Sequence, residues 1–385
     1  MERSRSSGRL RVGIDGRVLD DRYHGIGRIT YELLDRLTLD ERFHITLFVG
    51  AKQLSDRFDI DRVARRPEVR LVHFNHALTS MTQFLRWPGA LRRAQVDIVL
   101  FPYHLGAALF GGGTRFAVVH DCILETERRF APSSRTRAMY VLLTKLVIAR
   151  TEIITPSRAS AAALLSFYGV TVPDSRVVPW GVGESFNPAS LTAAASGGAP
   201  HAISAIGGMP LPTKYFLHVG AHRPHKNIQQ LVRVLAGLPE DEALILVGSA
   251  DDRWSDPTVE LARALGVSSR VLILGKVSET ELAALYRQAH AFLYPSLVEG
   301  FGLPLLEAMA AGVPVIASDI PVFREVAEQA AVFVPPDDTD AWVSAIRGLD
   351  VADHRAALIA AGHRRAAAAS WGEAADRLAS ILLGR

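Results

Sequence analysis

The sequence predicts an α/β protein made of two doubly wound, Rossmann-like domains. Three observations lead there. Short apolar runs alternate with helical periodicity along nearly the whole chain, the mark of βαβ units and parallel sheets. The alternation stops over Ala189–Met209, a stretch rich in Ala, Ser and Gly without an apolar period, and then restarts. Finally, 385 residues exceed one ordinary core and suit two domains of roughly 150–200 residues each.

In the first half, strands are expected at Arg11–Asp15, His44–Gly50, Val69–Phe74, Ile98–Tyr103, Phe116–His120, Glu152–Pro156 and Arg176–Trp180. Helices are expected between them at Gly27–Thr38, Ser80–Ala94, Ser133–Arg150 and Arg158–Tyr168. The second half repeats the grammar, with strands at Tyr215–Val219, Ala243–Gly248, Arg270–Leu274, Ala291–Tyr294, Val313–Ala317 and Ala331–Val334. Ser278-Glu279-Thr280-Glu281 reads as a capping box that opens a helix. The amphipathic stretch Trp371–Leu383 is a helix with no obvious place in its own sheet. The expected division is 1–188, a linker at 189–212, 213–370, and a crossing helix at 371–385. Two doubly wound domains facing each other would leave a ligand cleft at the carboxyl ends of both sheets.

Composition narrows the function classes. Hydrophobic residues make up 49%, which excludes global disorder. The lone Cys122 cannot form an internal disulfide, a count that suits a reducing cytosol, and it reads as an inert buried thiol. No apolar run reaches the roughly 18 residues a membrane helix needs. Met1–Arg11 lacks an apolar signal core and reads as a short disordered leader. Charge is uneven: residues 1–190 hold 27 Lys+Arg against 19 Asp+Glu, and residues 191–385 hold 16 against 21. A basic first half suits an anionic partner such as the inner face of a membrane or a phosphorylated substrate, or is simply a solvated Arg-rich surface. Candidate lipid contacts are Arg62, Arg65, Arg66, Arg86, Arg92, Arg93, Arg128, Arg129, Arg135 and Arg137. No nucleic-acid partner is expected.

The segment richest in chemistry is Glu299-Gly300-Phe301-Gly302-Leu303-Pro304-Leu305-Leu306-Glu307, between a strand and a short helix. Pro304 suits the first helical position, and the glycines let a ligand approach the backbone. The helix start offers free N–H groups and a positive dipole end to a diphosphate. Glu299 on the loop and Glu307 one turn into the helix can accept hydrogen bonds from sugar hydroxyls. A plain helix cap beside an exposed glutamate is the alternative.

The second segment, Gly220-Ala221-His222-Arg223-Pro224-His225-Lys226-Asn227, follows a strand, with Asn227 placed to cap the next helix. Arg223 and Lys226 suit phosphate oxygens, or are solvated cations on a loop. Gly25-Ile26-Gly27-Arg28 is a glycine turn before the first long helix, and it lacks the dinucleotide fingerprint because position 30 is Thr. His120-Asp121 stands at a strand end, where His120 can bond a substrate hydroxyl or play a structural part. Asp59-Ile60-Asp61 and Asp338-Thr339-Asp340 match the Asp-x-Asp of metal-dependent transferases but sit away from the other motifs. The histidines lack partners at zinc spacing.

Together these motifs resemble glycosyltransferase family 4, with the two-domain GT-B fold, over nearly the whole chain and in order. Thr155-Pro156-Ser157 and Val178-Pro179-Trp180-Gly181-Val182 match its pre-linker signatures, and Glu299 through Glu307 matches its Glu-x7-Glu motif. The resemblance implies a retaining transferase that uses a nucleotide-diphosphate sugar and needs neither cofactor nor metal. It implies that Glu307 holds the donor ribose and that His120 and Glu299 hold the donor sugar. Arg223 and Lys226 would neutralise the diphosphate, the backbone at Phe301, Gly302 and Leu303 would meet the distal phosphate, and backbone near Val277 would meet the base. Gly25 and Gly27 would form the N-terminal donor loop, and Arg28, Tyr103 and Asp121 would fall on the side of a saccharide or lipid-linked acceptor. Trp371–Leu383 would cross back to the N-terminal domain. Trp180 departs from the Asn that many relatives carry. The wording of the first two glycine segments leans toward bacterial mannosyl- or rhamnosyltransferases acting in polysaccharide synthesis. A GT-B nucleotide-sugar 2-epimerase, which needs no acceptor, and a non-catalytic sugar-nucleotide sensor are the alternatives from other classes.

Overall fold

The computed structural model describes residues 8–20, 24–50, 58–78, 80–107, 109, 113–186, 204–206, 208–251 and 253–384. The chain divides into two compact units, Met1–Trp180 with Trp371–Arg385, and Gly181–Ser370. The expected leader falls largely on residues 1–7, and most of the expected linker on 187–203, both outside the described residues. The described tail of that linker carries a small antiparallel pair, β7 (Ala205–Ile206) with β8 (Met209–Pro210).

The first unit holds a parallel sheet of β1 (Leu10–Asp15), β2 (Phe43–Val49), β3 (Val69–His73), β4 (Ile98–Phe101), β5 (Thr114–Val118) and β6 (Glu152–Ile154), in the order β3-β2-β1-β4-β5-β6. Its central strands are apolar on both faces, as a parallel sheet covered by helices requires. The strand expected at Arg176–Trp180 is absent. Asp174–Arg176 forms a 3-10 turn, and only Val177 bridges to Thr155. Pro179 has no N–H to extend a ladder there. The first helix starts at His24, so Gly25 and Gly27 lie in its first turn rather than before it. A Cβ on Gly27 would meet the Val18 carbonyl at 2.8 Å and the Phe58 ring at 3.1 Å, whereas Gly25 has open space. Gly27 is therefore required by packing.

The C-terminal helix, Trp371–Leu383, belongs to this first unit. It packs along the first helix, His24–Leu37. Trp371 stacks on Trp180 with ring centroids 6.2 Å apart, and Arg377 donates to the Val177 carbonyl at 3.1 Å. Both indoles are buried, so the helix is held by apolar contact of the kind worth several kcal/mol per large side chain, about 3–5 on truncation of a Trp.

At the end of β1 a buried ion pair sets the core. Arg17 grips Asp15 through both carboxylate oxygens at 2.6 and 2.7 Å. The guanidinium also donates to the His76 carbonyl and Gln83, and lies 4.9 Å from the Phe74 ring and 5.0 Å from that of Trp87. Such a pair survives burial because its donors and acceptors are matched by protein groups.

The second unit repeats the layout with β9 (Lys214–Val219), β10 (Glu242–Val247), β11 (Val271–Leu274), β12 (Ala291–Tyr294), β13 (Val315–Ser318) and β14 (Val332–Val334), ordered β11-β10-β9-β12-β13-β14. The strand order reverses between β9 and β12, which pair in parallel at Ala291↔Phe216 and Phe292↔Leu217. The expected capping box is present: Ser278 accepts from the Glu281 N–H, and Glu281 accepts from the Ser278 N–H at 2.8 Å. Asn227 does not cap the following helix, Ile228–Ala236. It adopts the left-handed conformation, φ +53°, and its amide donates to the Pro336 carbonyl instead, so its side chain is turned away from the helix N–H groups.

One buried acid in the first unit is set to titrate near neutrality. Glu125 accepts from the Thr144 hydroxyl at 3.1 Å and the Tyr168 hydroxyl at 3.2 Å. Burial first, and the Asp121 charge second, push its carboxyl up to about 7. An acid raised in the folded state adds stability below its unfolded value, about 4.3, and loses it as pH climbs through the folded value. The melting temperature should therefore fall between about pH 5 and pH 7.5 relative to Glu125→Gln, with the two converging near pH 4. The span corresponds to a difference on the order of 2–3 kcal/mol. Parallel melting curves of the two proteins across this range would remove Glu125 as the titrating group.

Candidate active site

In the second unit, the strand order reverses between β9 and β12, and the crevice at the carboxyl ends of two such strands is the usual ligand position in these sheets. Two loops line it: 220–227 after β9 and 295–302 after β12. The Leu297 N–H donates to the His225 carbonyl at 2.8 Å and ties them together.

Side chains complete the tie. Lys226 Nζ donates to Glu299 Oε1 at 2.5 Å and to the Tyr294 hydroxyl at 3.2 Å. The side chains of Lys226 and Glu299 are only 14% and 10% exposed, so neither is a solvated surface group. Burial is the largest single influence and would raise the Glu299 carboxyl, but the Lys226 charge, together with hydrogen bonds from Lys226 and Ser296 and the influence of His225, outweighs it and holds the group below the usual carboxylate range. Burial pushes His225 down to about 3, so this neighbour is neutral at physiological pH. Lys226 is thus the cation facing Glu299.

Arg223 does not share that partner. Its Nε donates to Asp251 at 3.0 Å, in the loop after β10, where Arg253 also holds the carboxylate. Those two guanidinium groups lower Asp251 to about 2, the Arg253 hydrogen bond being the largest cause. His222 Nδ1 lies 2.6 Å from Asp256. A cavity of about 230 Å3 opens beside these residues, lined by His222, Arg223, Gln229 and Asp256 among others.

Glu307 sits one turn into the helix Leu303–Ala310, 6% exposed, and accepts from the Tyr286 hydroxyl at 3.1 Å. Pro304 occupies the second helical position rather than the first, because Gly302 serves as N-cap and Leu303 begins the helix. Gly302 has φ +107°, and a Cβ there would meet the Phe323 ring at 3.1 Å. Both facts demand glycine, which leaves the backbone at Phe301–Leu303 without a side chain at its centre. Val277 lies between β11 and the helix Glu279–Gln288, half-buried.

The first unit carries the histidine. His120 lies two residues beyond β5, and its Nε2 is 2.7 Å from the Pro102 carbonyl. A carbonyl oxygen only accepts, so Nε2 bears the hydrogen. Burial lowers the imidazole to about 4, against the pull of that carbonyl. The ring is therefore neutral and presents Nδ1 as an acceptor. Its other face meets Trp180, with centroids 6.1 Å apart. Asp121 accepts from the Ile123 N–H at 3.1 Å, closing the turn into Ile123–Thr126. Tyr103 shares a hydrogen bond with the Tyr140 hydroxyl at 3.1 Å. Arg28, in the first helix, is half-buried. Cys122 is buried, and burial pushes its thiol up.

Both Asp-x-Asp candidates are helix caps. Asp59 accepts from the Arg62 N–H at 2.8 Å and Asp338 from the Ala341 N–H at 3.0 Å. Among the described residues, no group of three or more His, Cys, Asp or Glu is placed to hold a metal ion.

Tyr286 and Tyr294 escaped the reading of the sequence. Both stand within apolar periodic runs and look like core. The signal that could have found Tyr294 is an amphipathic ring at the last position of the strand that feeds the Glu299 loop.

Comparison with known proteins agrees with this layout. The family model "Glycosyltransferase Family 4" matches residues 23–186, and "Glycosyl transferases group 1" matches 202–364. The O-antigen chain mannosyltransferase RfbU of Salmonella typhimurium is 43% identical over 136 residues, 35% of this chain and 38% of that protein. The O-antigen chain mannosyltransferase B of Escherichia coli is 28% identical over 341 residues, 82% of this chain and 84% of the relative. The structure of HepE from Anabaena in complex with UDP and glucose superposes with a TM-score of 0.71 at 16% identity, covering 98% of this chain and all of that one. The two family matches together take in the whole second sheet and all of the first but β1, and the chain belongs to glycosyltransferase family 4, with the GT-B fold and mannosyltransferases among its relatives.

Proposed function

We propose that the protein is a retaining glycosyltransferase that moves a hexosyl group, mannose for preference, from a nucleotide-diphosphate sugar to a saccharide or lipid-linked acceptor in polysaccharide synthesis. The observation that carries the reading is a buried cation, Lys226, paired with the loop carboxylate Glu299 beside the helix that bears Glu307. Glu299 is held ionised by Lys226, and Glu307 stands one turn into the helix that Gly302 opens. A diphosphate seated at that helix start would meet the Leu303 N–H, the positive dipole end and the Lys226 ammonium; Pro304 has no N–H and the Leu305 N–H already donates to the Gly302 carbonyl. Glu307 then suits the ribose and Glu299 the sugar. Neutral His120, through Nδ1, suits a sugar hydroxyl. The mannosyl preference is supported by the two O-antigen relatives.

Contacts made equally in ground and transition states lower KM, while contacts that strengthen as charge develops raise kcat. Glu307→Gln should therefore raise the donor KM chiefly. Glu299→Gln and His120→Ala should lower kcat on the order of 100-fold or more. Steady-state kinetics on the three variants, with folding checked by circular dichroism, tests each role separately; near-normal kcat in Glu299→Gln and His120→Ala removes the catalytic assignment.

Charge neutralisation by Lys226 and a helix N-terminus leaves no task for a divalent ion, so we infer metal-independent transfer. Activity should persist in excess EDTA. Loss on chelation with recovery on adding manganese would overturn the inference.

A membrane-facing surface is the partner reading that the first unit supports. The helix Ser134–Ile148 exposes Arg135, Met139, Leu142, Lys145 and Leu146 at helical spacing, an apolar stripe with basic groups along it. Arg62 and Arg66, by contrast, are both engaged by Asp35, and Arg137 donates to the Glu125 carbonyl. No described helix is long and apolar enough to cross a membrane. Binding to phosphatidylglycerol vesicles should fall steeply with salt, as the Debye length shrinks to about 8 Å at physiological strength. Leu142→Asp should weaken it further; absence of binding at low salt favours a soluble acceptor.

A further inference from the structure

The Lys226 ammonium has three N–H donors on a flexible stem. With a single partner the stem could still swing about that one N–H···O axis and carry its other donors over an arc. Here two partners hold it. Glu299 accepts one donor at 2.5 Å and the Tyr294 hydroxyl a second at 3.2 Å. Two fixed bonds on a tetrahedral nitrogen set the direction of the third. Tyr294 is itself fixed: it ends β12, is 1% exposed, and its ring stacks on Phe323 with centroids 4.7 Å apart. Its phenol stays protonated, held far from ionisation by burial and then by the Glu299 charge. It therefore offers Lys226 a lone pair and not a second negative charge.

We propose that Tyr294 is the positioning residue for the phosphate-binding cation: by holding the Lys226 ammonium against Glu299, it aims the remaining N–H at the donor diphosphate. The proposal rests on the donor-binding reading given above. It also accounts for a polar hydroxyl at the end of an otherwise apolar buried strand. The arrangement couples the two donor contacts, because the group that meets phosphate and the carboxylate that meets sugar are registered by one shared nitrogen.

Tyr294→Phe keeps the ring and removes only the hydroxyl, both the acceptor for Lys226 and the donor to Glu299, so the test separates positioning from packing. Calorimetric affinities for GDP and UDP are measured beside guanosine and uridine, in the wild type, Tyr294→Phe, Lys226→Met and the double variant. Loss of one positioning hydrogen bond of ordinary net strength should weaken diphosphate binding about 3- to 10-fold. The nucleosides should bind as before and the melting temperature should hold. In the Lys226→Met background the tyrosine change should have no further effect, since the ammonium it positions is gone. Equal diphosphate affinity in wild type and Tyr294→Phe, with Lys226→Met impaired, overturns the positioning role and leaves the donor reading standing. A wild type that binds neither diphosphate more tightly than its nucleoside overturns both.

Discussion

The reversal of strand order between β9 and β12 is the constraint on which the second unit depends. Neighbouring parallel strands there send their chains to opposite faces of the sheet, so the carboxyl ends of the two strands are left uncovered by either connection. Everything with chemistry gathers at that gap. Lys226 arrives from β9, Tyr294 and Glu299 from β12, and Glu307 from the helix that follows. The main-chain bond from Leu297 to His225 fixes the spacing of the loops before any side chain takes part. The first unit repeats the device between β1 and β4, where the Asp15–Arg17 pair fills the corresponding strand end with a matched network.

Burial gives the Lys226–Glu299 pair its character. A surface pair of this kind contributes little, whereas one taken out of water costs desolvation and must be matched closely. Here the carboxylate and a tyrosine hydroxyl share the ammonium, and the protein keeps both charges at low exposure. If the site receives a diphosphate, as proposed, a preset cation is worth more than a mobile one, since ordering has been completed in folding rather than at binding. Glycine at 302 serves the same end. Its positive φ turns the backbone into the helix start without a side chain in the way.

In the first unit His120, proposed to hold the donor sugar, is tied to the architecture by Trp180. That ring touches His120 on one side and Trp371 on the other. Trp180 is thus a packing bridge between the C-terminal helix and the loop that holds the imidazole. An Asn in its place would leave a large cavity.

Periodicity and turn chemistry were enough to establish the two parallel-sheet units, the helix at Arg158–Tyr168, the capping box at Ser278 and the terminal helix at Trp371–Leu383. These depend on neighbours close in sequence, and local pattern reports them directly. The same local signals located Glu299, Glu307, Gly302 and Lys226, because a strand, a glycine turn and a helix start leave a legible mark. Partnership was another matter. That Lys226 pairs with Glu299, 73 residues on, while Arg223 turns to Asp251, that Asn227 caps nothing, that Gly27 answers to the Val18 carbonyl, and that Tyr294 is more than core, all follow from contacts between distant segments. Only the register of β9 against β12, set by the packing of the whole sheet, brings those atoms within hydrogen-bonding distance, and no pattern along the chain encodes a distance across it.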